Sequence, residues 1–279
     1  MTNKLLLIDG HNLLVQMFYG MPNKMEGKNG KSIEGIWGFT GALLKMISQT
    51  NPTHICVIFE KEETYYQWKE QENTEPEKNP FLILPDIKSV LEKLNISYFE
   101  TEKLYKTSDY IKEYCNQYKE SCEIIISSWD YNYISLVSSH INLLTYKGNN
   151  SIRYTYEKVL SKWKVEPKFF ADYKALVGDP SDSIAGIPRV GPKMASELIK
   201  EFGHVEDILE HIEEIKKDNI RLTLDIFKKD LLQNIKQIRF HGTGYIKIPL
   251  EKLTFSSIST KTKEILVQCD LLEVQVQPA

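Results

Sequence analysis

The chain has 279 residues, of which 42% are hydrophobic and 26% are charged, and its formal net charge is −3. These values are typical of a globular protein with a well-filled core, and the charge is not that of a generally basic nucleic-acid binder. No apolar run is long enough to span a membrane, and the short apolar run that ends at Asp9 argues against a signal peptide. We therefore expect a protein that does not contact membranes.

Cysteine usage indicates a reducing compartment. The four cysteines are scattered along the chain without the paired spacing of zinc ligands. We therefore expect a cytoplasmic protein without disulfides or zinc, and we expect it to be a monomer.

The first half of the chain alternates short apolar segments with segments of helical spacing. Strands are predicted at residues 4–9, 54–60, 96–99, 123–128 and 141–144, and helices at residues 38–47 and 86–94. Apolar strands separated by helices indicate a parallel sheet that is covered on both faces. The polar segment 69–80 is expected to be flexible.

The pattern becomes helical after residue 168. Helices are predicted at residues 169–177, 193–202, 205–214, 218–238 (one helix or two) and 260–271. Residues 245–250 are typical of a strand or an extended arm. Together the patterns predict an α/β core over residues 1–165, a helical region over residues 166–240 and an extension of unknown role over residues 241–279.

Three acidic residues follow apolar strands. Asp9 ends the first strand, Glu60 ends the second, and Asp130 follows the strand at residues 123–128. Ligands of parallel sheets gather beyond the carboxyl ends of the strands, so these three acids are expected to share a site. Strand-end acids also cap the helices that follow them, and for each acid taken singly this alternative has about equal weight.

The segment from Gly178 to Lys193 combines two acids with a glycine-rich turn. Asp179 and Asp182 would lie on one face of a helical turn, and carboxylate oxygens are the ligands that hard cations prefer. The stretch that follows, from Gly186 to Lys193, can turn tightly and present backbone N–H groups at the start of a helix, where an anion binds well. The alternative is a plain turn between helices with capping aspartates.

This segment closely resembles the helix–three-turn–helix of the 5′-nuclease family, which includes the 5′→3′ exonuclease domains of bacterial DNA polymerase I, phage exonucleases and flap endonucleases. The resemblance extends from about Lys4 to Glu210. It implies a PIN-like parallel-sheet core and hydrolysis of phosphodiester bonds with two divalent ions, Mg²⁺ or Mn²⁺. It also implies DNA as the partner, in the form of duplex ends, nicks, flaps or junctions.

The resemblance implies a set of carboxylates that hold metal or serve catalysis. The catalytic acids correspond to Asp9, Glu60, Asp109 and Asp130, and the metal ligands correspond to Asp9, Asp130, Asp179 and Asp182. The family pattern has further acids at three positions where this chain has Lys106, Ser108 and Asn132. A lysine at the first of these positions would repel a divalent cation, so we expect weak metal binding or the binding of a single ion.

The hairpin of the same segment implies a contact with DNA. Its DNA-binding residues correspond to Gly186, Pro188, Arg189, Val190, Gly191 and Lys193, and its backbone carbonyls are expected to hold a K⁺ ion. A contact of this kind grips the DNA backbone and reads no sequence. Arg189 and Lys193 would add salt-dependent phosphate binding, and the alternative for Lys193 is a solvated helix face.

Members of the family carry basic residues in a helical region after the second strand, and these residues grip the scissile phosphate. This chain has fewer basic residues in the corresponding region. Gln67 stands where an arginine is expected, and Lys69 could partly replace it. Whether residues 64–80 form an arch over a single strand of nucleic acid is left open.

Two aromatic residues flank Asp130. Trp129 and Tyr131 could stack on a nucleotide base, or they could fill the space left by lost ligands. We favour filling, because aromatic side chains near the end of a sheet are more often packed.

These observations leave three functions open. The favoured hypothesis is a 5′-nuclease relative that binds duplex ends or branched DNA and whose phosphodiester hydrolysis is weakened or lost. The alternative is an active, divalent-metal-dependent 5′→3′ exonuclease or flap endonuclease that uses a reduced ligand set. The third, a protein-interaction scaffold that does not touch DNA, is disfavoured by the intact stretch from Gly186 to Lys193.

Overall fold

A computed structural model describes residues 3–63 and 79–273 of the chain. Gln67, Lys69 and nearly all of the arch and flexible segment considered above lie outside the described residues.

The chain divides into two compact units. As far as they are described, the first contains residues 1–129, 144–152 and 242–279, and the second contains residues 130–143 and 153–241. The domain limits expected from the sequence, at residues 165 and 240, remain predictions.

Among the described residues, six strands form one sheet in the order β3-β2-β1-β4-β5-β6. They are β1 (Asn3–Asp9), β2 (His54–Phe59), β3 (Ser97–Glu100), β4 (Cys122–Ser127), β5 (Ile141–Thr145) and β6 (Ile152–Tyr154). The pairings of β1 with β2, of β1 with β4 and of β2 with β3 are parallel, which confirms the predicted α/β fold. The strand order reverses at β1, and the crevice beyond its carboxyl end is where such sheets bind ligands.

Helices surround this sheet and make up most of the second unit. In chain order they are α1 (Gly10–Gly20), α2 (Glu34–Thr50), α3 (Leu84–Lys93), α4 (Thr107–Tyr118), α5 (Tyr156–Trp163), α6 (Phe170–Val177), α7 (Pro192–Phe202), α8 (Val205–Glu210), α9 (Asp218–Ile226), α10 (Lys228–Ile238) and α11 (Thr262–Gln268). The stretch predicted as one helix or two is two, α9 and α10.

The core of the first unit follows from apolar spacing. The four residues Leu5–Ile8 of β1 are fully buried, as expected for a central strand covered on both faces. On α2, Phe39, Leu43 and Met46 recur at intervals of four and three residues and are also fully buried. Each such side chain contributes roughly 1.5–3 kcal/mol relative to an exposed one.

The C-terminal segment, described for residues 242–273, belongs to the first unit and packs within it. Its residues 242–250 run along α4, where Tyr114 donates its hydroxyl to the carbonyl of Ile248 at 2.8 Å and accepts the N–H of Ile248 at 3.2 Å. Farther on, Leu253 accepts the N–H of Ile55 at 2.9 Å. The segment predicted as a strand or extended arm at residues 245–250 contains no strand, and α11 buries Ile265 and Leu266 in the core.

In the described part of the chain, no helix is long and apolar enough to cross a membrane.

Candidate metal and DNA-binding site

Asp9 lies at the carboxyl end of β1, where the chain passes directly into α1. Its Oδ1 accepts the N–H of Asn12 at 3.0 Å, and its Oδ2 accepts the hydroxyl of Ser128 at 3.1 Å. The parallel register pairs Ile8 with Ser127, so Ser128 comes level with Asp9 at the same edge of the sheet. The carboxylate is buried and caps a helix, as the alternative interpretation of strand-end acids expects.

Glu60 follows β2 and caps a different helix. Its Oε1 accepts the N–H of Thr107, the first residue of α4, at 3.3 Å. Burial raises the pKa of Glu60, the hydrogen bond from Thr107 and the charge of Lys106 oppose this effect, and the charge of Asp109 adds to it. Glu60, Lys106 and Asp109 therefore lie close enough to one another to interact electrostatically.

Asp109 is held by backbone amides on both sides. Its Oδ2 accepts the N–H of Lys106 at 3.0 Å, and its Oδ1 accepts the N–H of Gly242 at 3.1 Å. The residue is buried. Its carboxylate thus fixes the start of α4 and the start of the C-terminal segment at the same time.

The acids of the first unit fit a divalent cation poorly. Asp9, Glu60 and Asp109 each accept at least one backbone N–H, and the ammonium of Lys106 acts on Glu60. Ser108 is buried at a position where the family pattern has an acid, and it brings no charge. Within either unit, no three His, Cys, Asp or Glu residues among those described form a group that could hold a metal.

The second unit gathers two acids around a lysine. Lys174, from the middle of α6, forms an ion pair with Asp179 and donates to Oδ2 of Asp182 at 3.1 Å. Its side chain is only 8% exposed. Burial raises the pKa of Asp179, but hydrogen bonds from Lys174 and Ser181 and the charge of Lys174 outweigh it, so the net pKa is lowered.

Asn132 completes this cluster. Its Oδ1 accepts a hydrogen bond from Lys174 at 2.5 Å, and its Nδ2 donates to Oδ2 of Asp182 at 2.9 Å. The sequence identified Asn132 as a lost acid but missed Lys174, because this lysine lies in the apolar run of α6. A lysine at a buried position of a mostly apolar helix was the available signal.

Asp130 lies next to the cluster in the same unit. Its Oδ1 accepts the N–H of Asn132 at 2.7 Å. Burial raises its pKa to about 6, the charge of Asp182 adds to the rise, and Asn132 and Lys174 oppose it. Asp130, Asp182 and Lys174 therefore lie close enough to one another to interact electrostatically.

The second unit fits a hard cation better than the first. Asp130, Asp179, Asp182 and the amide oxygen of Asn132 are the oxygen ligands that Mg²⁺ and Mn²⁺ prefer. Burial is the main cause of the raised pKa of Asp130, and the negative charge of Asp182 adds to it. Because the ammonium of Lys174 is bound to the oxygens of three of these residues, an ion entering the cluster would meet an existing cation.

The hairpin between α6 and α7 is built by close backbone packing. A Cβ atom at Gly186 would lie 2.1 Å from the carbonyl oxygen of Val177, so only glycine fits there. The N–H of Ile187 bonds to the carbonyl of Leu176 at 2.8 Å, and Asn234 of α10 donates to the carbonyl of Ala185 at 2.8 Å. These contacts fix the hairpin against two helices.

The hairpin presents its polar residues outward. Pro188, Arg189, Gly191 and Lys193 are exposed, whereas Val190 is buried and contributes through its backbone. Arg189 has a φ of 66°, in the left-handed region, and Gly191 precedes Pro192 at the first position of α7. A Cβ atom at Gly191 would meet nothing within 4 Å, so the start of α7 is open to an approaching backbone or anion.

The aromatic residues beside Asp130 are packed. In the second unit, Tyr131 lies edge-to-face with Tyr154 and Trp163 at centroid distances of 5.7 and 6.4 Å. In the first unit, Trp129 contacts Tyr146 edge-to-face at 6.5 Å. Both rings therefore fill space among other rings, as expected.

Comparison with models of known protein families identifies the family of this chain. The model of the 5′-3′ exonuclease N-terminal resolvase-like domain matches residues 4–164, and the model of the 5′-3′ exonuclease C-terminal SAM fold matches residues 165–261. The chain belongs to the 5′-3′ exonuclease family. The chain is similar to DNA polymerase I of Bacillus subtilis, with 31% identity over 264 residues that cover 92% of this chain.

The relatives differ in length. The chain spans 30% of the Bacillus subtilis polymerase and 30% of the Bacillus caldotenax polymerase, to which it is 29% identical over 91% of its own length. A 5′-3′ exonuclease of Aquifex aeolicus is similar over its whole length, with 29% identity covering 97% of this chain and 94% of the relative.

Solved structures show the same fold at low sequence identity. The flap endonuclease of bacteriophage T5, in a complex with DNA and metal ions, has a TM-score of 0.66 at 17% identity and covers 85% of this chain and 89% of its own. The catalytic core of Rad2 in complex with DNA substrate has a TM-score of 0.57 at 16% identity, over 96% of this chain and 92% of its own.

Proposed function

We propose that this member of the 5′-3′ exonuclease family binds duplex ends or branched DNA and that its phosphodiester hydrolysis is weakened or lost. The proposal rests on the hydrogen bonds that the acids of the first unit already form with the backbone. Asp9, Glu60 and Asp109 hold backbone N–H groups, and Lys106 adds an ammonium where the family pattern has an acid. Two metal ions clamped close together require a dense carboxylate cluster, and the described residues of this unit do not supply one.

DNA binding rests on the hairpin of the second unit. The exposed Arg189 and Lys193 stand on either side of the exposed Gly191, which directly precedes α7. Helix N-termini favour phosphate, and two cationic side chains beside one add charge that salt screens. The backbone carbonyls of the hairpin would hold a K⁺ ion, and this contact would position DNA without reading its sequence.

Any remaining metal chemistry is assigned to the second unit. As they stand, Asp130, Asp179 and Asp182 do not form a metal-binding group, so they would hold one Mg²⁺ or Mn²⁺ ion only after their side chains rearrange, and such an ion would supply positive charge at a scissile phosphate. Asp182 is the most exposed member of the lysine-bound pair and the one best placed to meet a ligand from solvent.

The second candidate function is an active 5′→3′ exonuclease or flap endonuclease with a reduced ligand set. The specific observation in its favour is that Asp130, Asp179 and Asp182 are all retained in one unit. Water or substrate phosphate can complete the coordination sphere of Mg²⁺, which usually keeps several waters.

A binding experiment tests the DNA contact. Replacing Arg189 and Lys193 by alanine together should weaken binding to a nicked duplex and reduce its log–log salt slope by about 2, because two phosphate contacts are lost. The control is the pair Lys228→Ala and Lys229→Ala, which removes two charges from an exposed face of α10 in the same unit. Equal effects of the two pairs would exclude the hairpin as the DNA contact.

A gain-of-function experiment tests the account of hydrolysis. Restoring the acids of the family pattern with Lys106→Glu, Ser108→Asp and Asn132→Asp together should raise cleavage of a 5′ flap. No gain in a folded triple variant would count against the lost acids as the cause of weak hydrolysis.

A further inference from the structure

Lys174 is a buried cation at the centre of an oxygen-lined cluster. Its helix, α6, also buries the apolar side chains of Ala175 and Leu176 and the carboxylate of Asp172. A lysine ammonium is seldom buried unless it is paired, because removing it from water is costly. The oxygens of Asp179, Asp182 and Asn132 provide that pairing.

The three oxygens match the hydrogen-bonding capacity of the ammonium. A lysine ammonium has three N–H donors and no acceptor. Asn132 uses its amide group in both directions, since its Oδ1 accepts from Lys174 and its Nδ2 donates to Asp182. An aspartate at this position could accept from Lys174 but could not donate to Asp182. The asparagine therefore suits a cluster that is closed around a lysine.

We propose that the ammonium of Lys174 takes the cation position of the Asp179–Asp182 cluster, so that Lys174 and a divalent ion compete for the same oxygens. This inference rests on the proposed function for the identity of the cluster as the metal site. Lys174 would thus be a competitor within the chain itself, and it would set how tightly the site binds metal.

The competition follows from charge and geometry. An ammonium and a divalent cation bound to the same carboxylate oxygens repel each other at short range, and burial weakens the screening of that repulsion. The lysine stem is flexible, so the ammonium can leave the cluster when an ion enters. Metal binding is therefore expected to release Lys174 from Asp179 and Asp182.

The first test measures metal binding without DNA. Binding of Mn²⁺ is followed by the electron paramagnetic resonance signal of the free ion, for the wild type, Lys174→Met and the matched control Lys168→Met. Lys168 is an exposed lysine of the same unit that pairs with Glu166 at 3.3 Å. We expect Lys174→Met to bind Mn²⁺ at least about tenfold more tightly than the wild type, whereas Lys168→Met stays within about twofold. Unchanged or weaker binding in a folded Lys174→Met variant would overturn the proposal.

The second test uses the wild type alone, so it holds even where Lys174→Met does not fold. Lysines are labelled with an amine-reactive reagent and read by mass spectrometry, with and without Mn²⁺ at a concentration where a bound ion is detected. We expect Lys174 to be protected without metal and labelled with it, while labelling of Lys168 does not change. Protection of Lys174 that persists with bound Mn²⁺ would mean that lysine and ion do not compete, and would overturn the proposal. Neither readout involves DNA or cleavage, so a failure of this inference can be distinguished from a failure of the proposed function.

Discussion

The carboxylate of Glu60 accepts a hydrogen bond from the backbone N–H of Thr107 at 3.3 Å, so the acid that follows β2 caps the helix that follows β3. This relationship gives the family's second acid a structural role. The first N–H groups of a helix have no partner within the helix, and an anionic acceptor there is favourable.

Loss of this cap should therefore destabilise the protein. We expect Glu60→Ala to lower the free energy of unfolding by about 1 kcal/mol, the usual cost of removing a helix cap. The control is Glu120→Ala, which removes an exposed carboxylate beyond the end of α4. Chemical denaturation measures both, and equal stability of Glu60→Ala and the wild type would contradict the capping role.

Alanine substitutions at two glycines of the hairpin should distinguish an effect on folding from an effect on DNA binding. Gly186→Ala would place its Cβ 2.1 Å from the carbonyl of Val177, so we expect the second unit to lose stability. Gly191→Ala meets nothing within 4 Å and has a φ of −83°, so we expect a folded protein of nearly wild-type stability.

The methyl group at Gly191 should nevertheless weaken binding to a nicked duplex, because it stands where the DNA backbone would approach the start of α7. Thermal unfolding and fluorescence anisotropy on both variants check the two expectations. Wild-type affinity in Gly191→Ala would argue against close approach of DNA at this point.

The C-terminal segment depends on the tyrosines of α4. Tyr114→Phe removes the hydroxyl that bonds to both the carbonyl and the N–H of Ile248. We expect a loss of about 1–3 kcal/mol, because polar groups of Ile248 are left without this partner. Tyr19→Phe, on an exposed ring, should have little effect. Proteolysis within residues 242–255 should become faster in Tyr114→Phe, and an unchanged cleavage rate would exclude this anchor.

Burial of His54 makes stability depend on pH. Burial lowers the pKa of His54 below 6.5, and the charge of Glu251 opposes this only in part. The folded protein therefore binds this proton less readily than the unfolded chain. The stabilisation is present above the unfolded pKa and is lost as the pH falls from 6.5 toward the folded pKa.

His54→Gln removes that titrating group. We expect the wild type to lose more stability than His54→Gln between about pH 7.5 and about pH 5, measured by denaturation across the range. Parallel pH profiles for the two proteins would show that His54 does not contribute.

Apolar periodicity was sufficient to predict most of the fold. β1, β2 and β4 are continuous buried runs, and α2 has strict helical spacing. The sequence did not predict α4, because its first turn, Thr107 to Asp109, is polar and its buried face consists of tyrosines. It also did not predict α1, which starts directly at the end of β1, or the three-residue β6.

The acidic residues of the site could be predicted from the sequence, but the hydrogen-bond and ion-pair partners of those residues could not. Every acid named from the family pattern lies at a strand end, a helix start or the hairpin turn. Which partners their oxygens have depends on contacts between distant residues, such as Asp109 with Gly242 and Asp182 with Lys174. Linear spacing carries no information about such contacts, and Lys174 itself is hidden in an apolar run.

The most direct measurement for the central claim is single-turnover cleavage of a 5′-labelled flap and of a nicked duplex, in Mg²⁺ and then in Mn²⁺. DNA binding is measured on the same samples, and the double variant Asp179→Ala/Asp182→Ala is the control. The account predicts salt-sensitive binding together with cleavage that is absent or only slightly faster than that of the double variant. Cleavage that is fast in the wild type and disappears in the double variant would contradict it and would establish an active nuclease with a reduced ligand set.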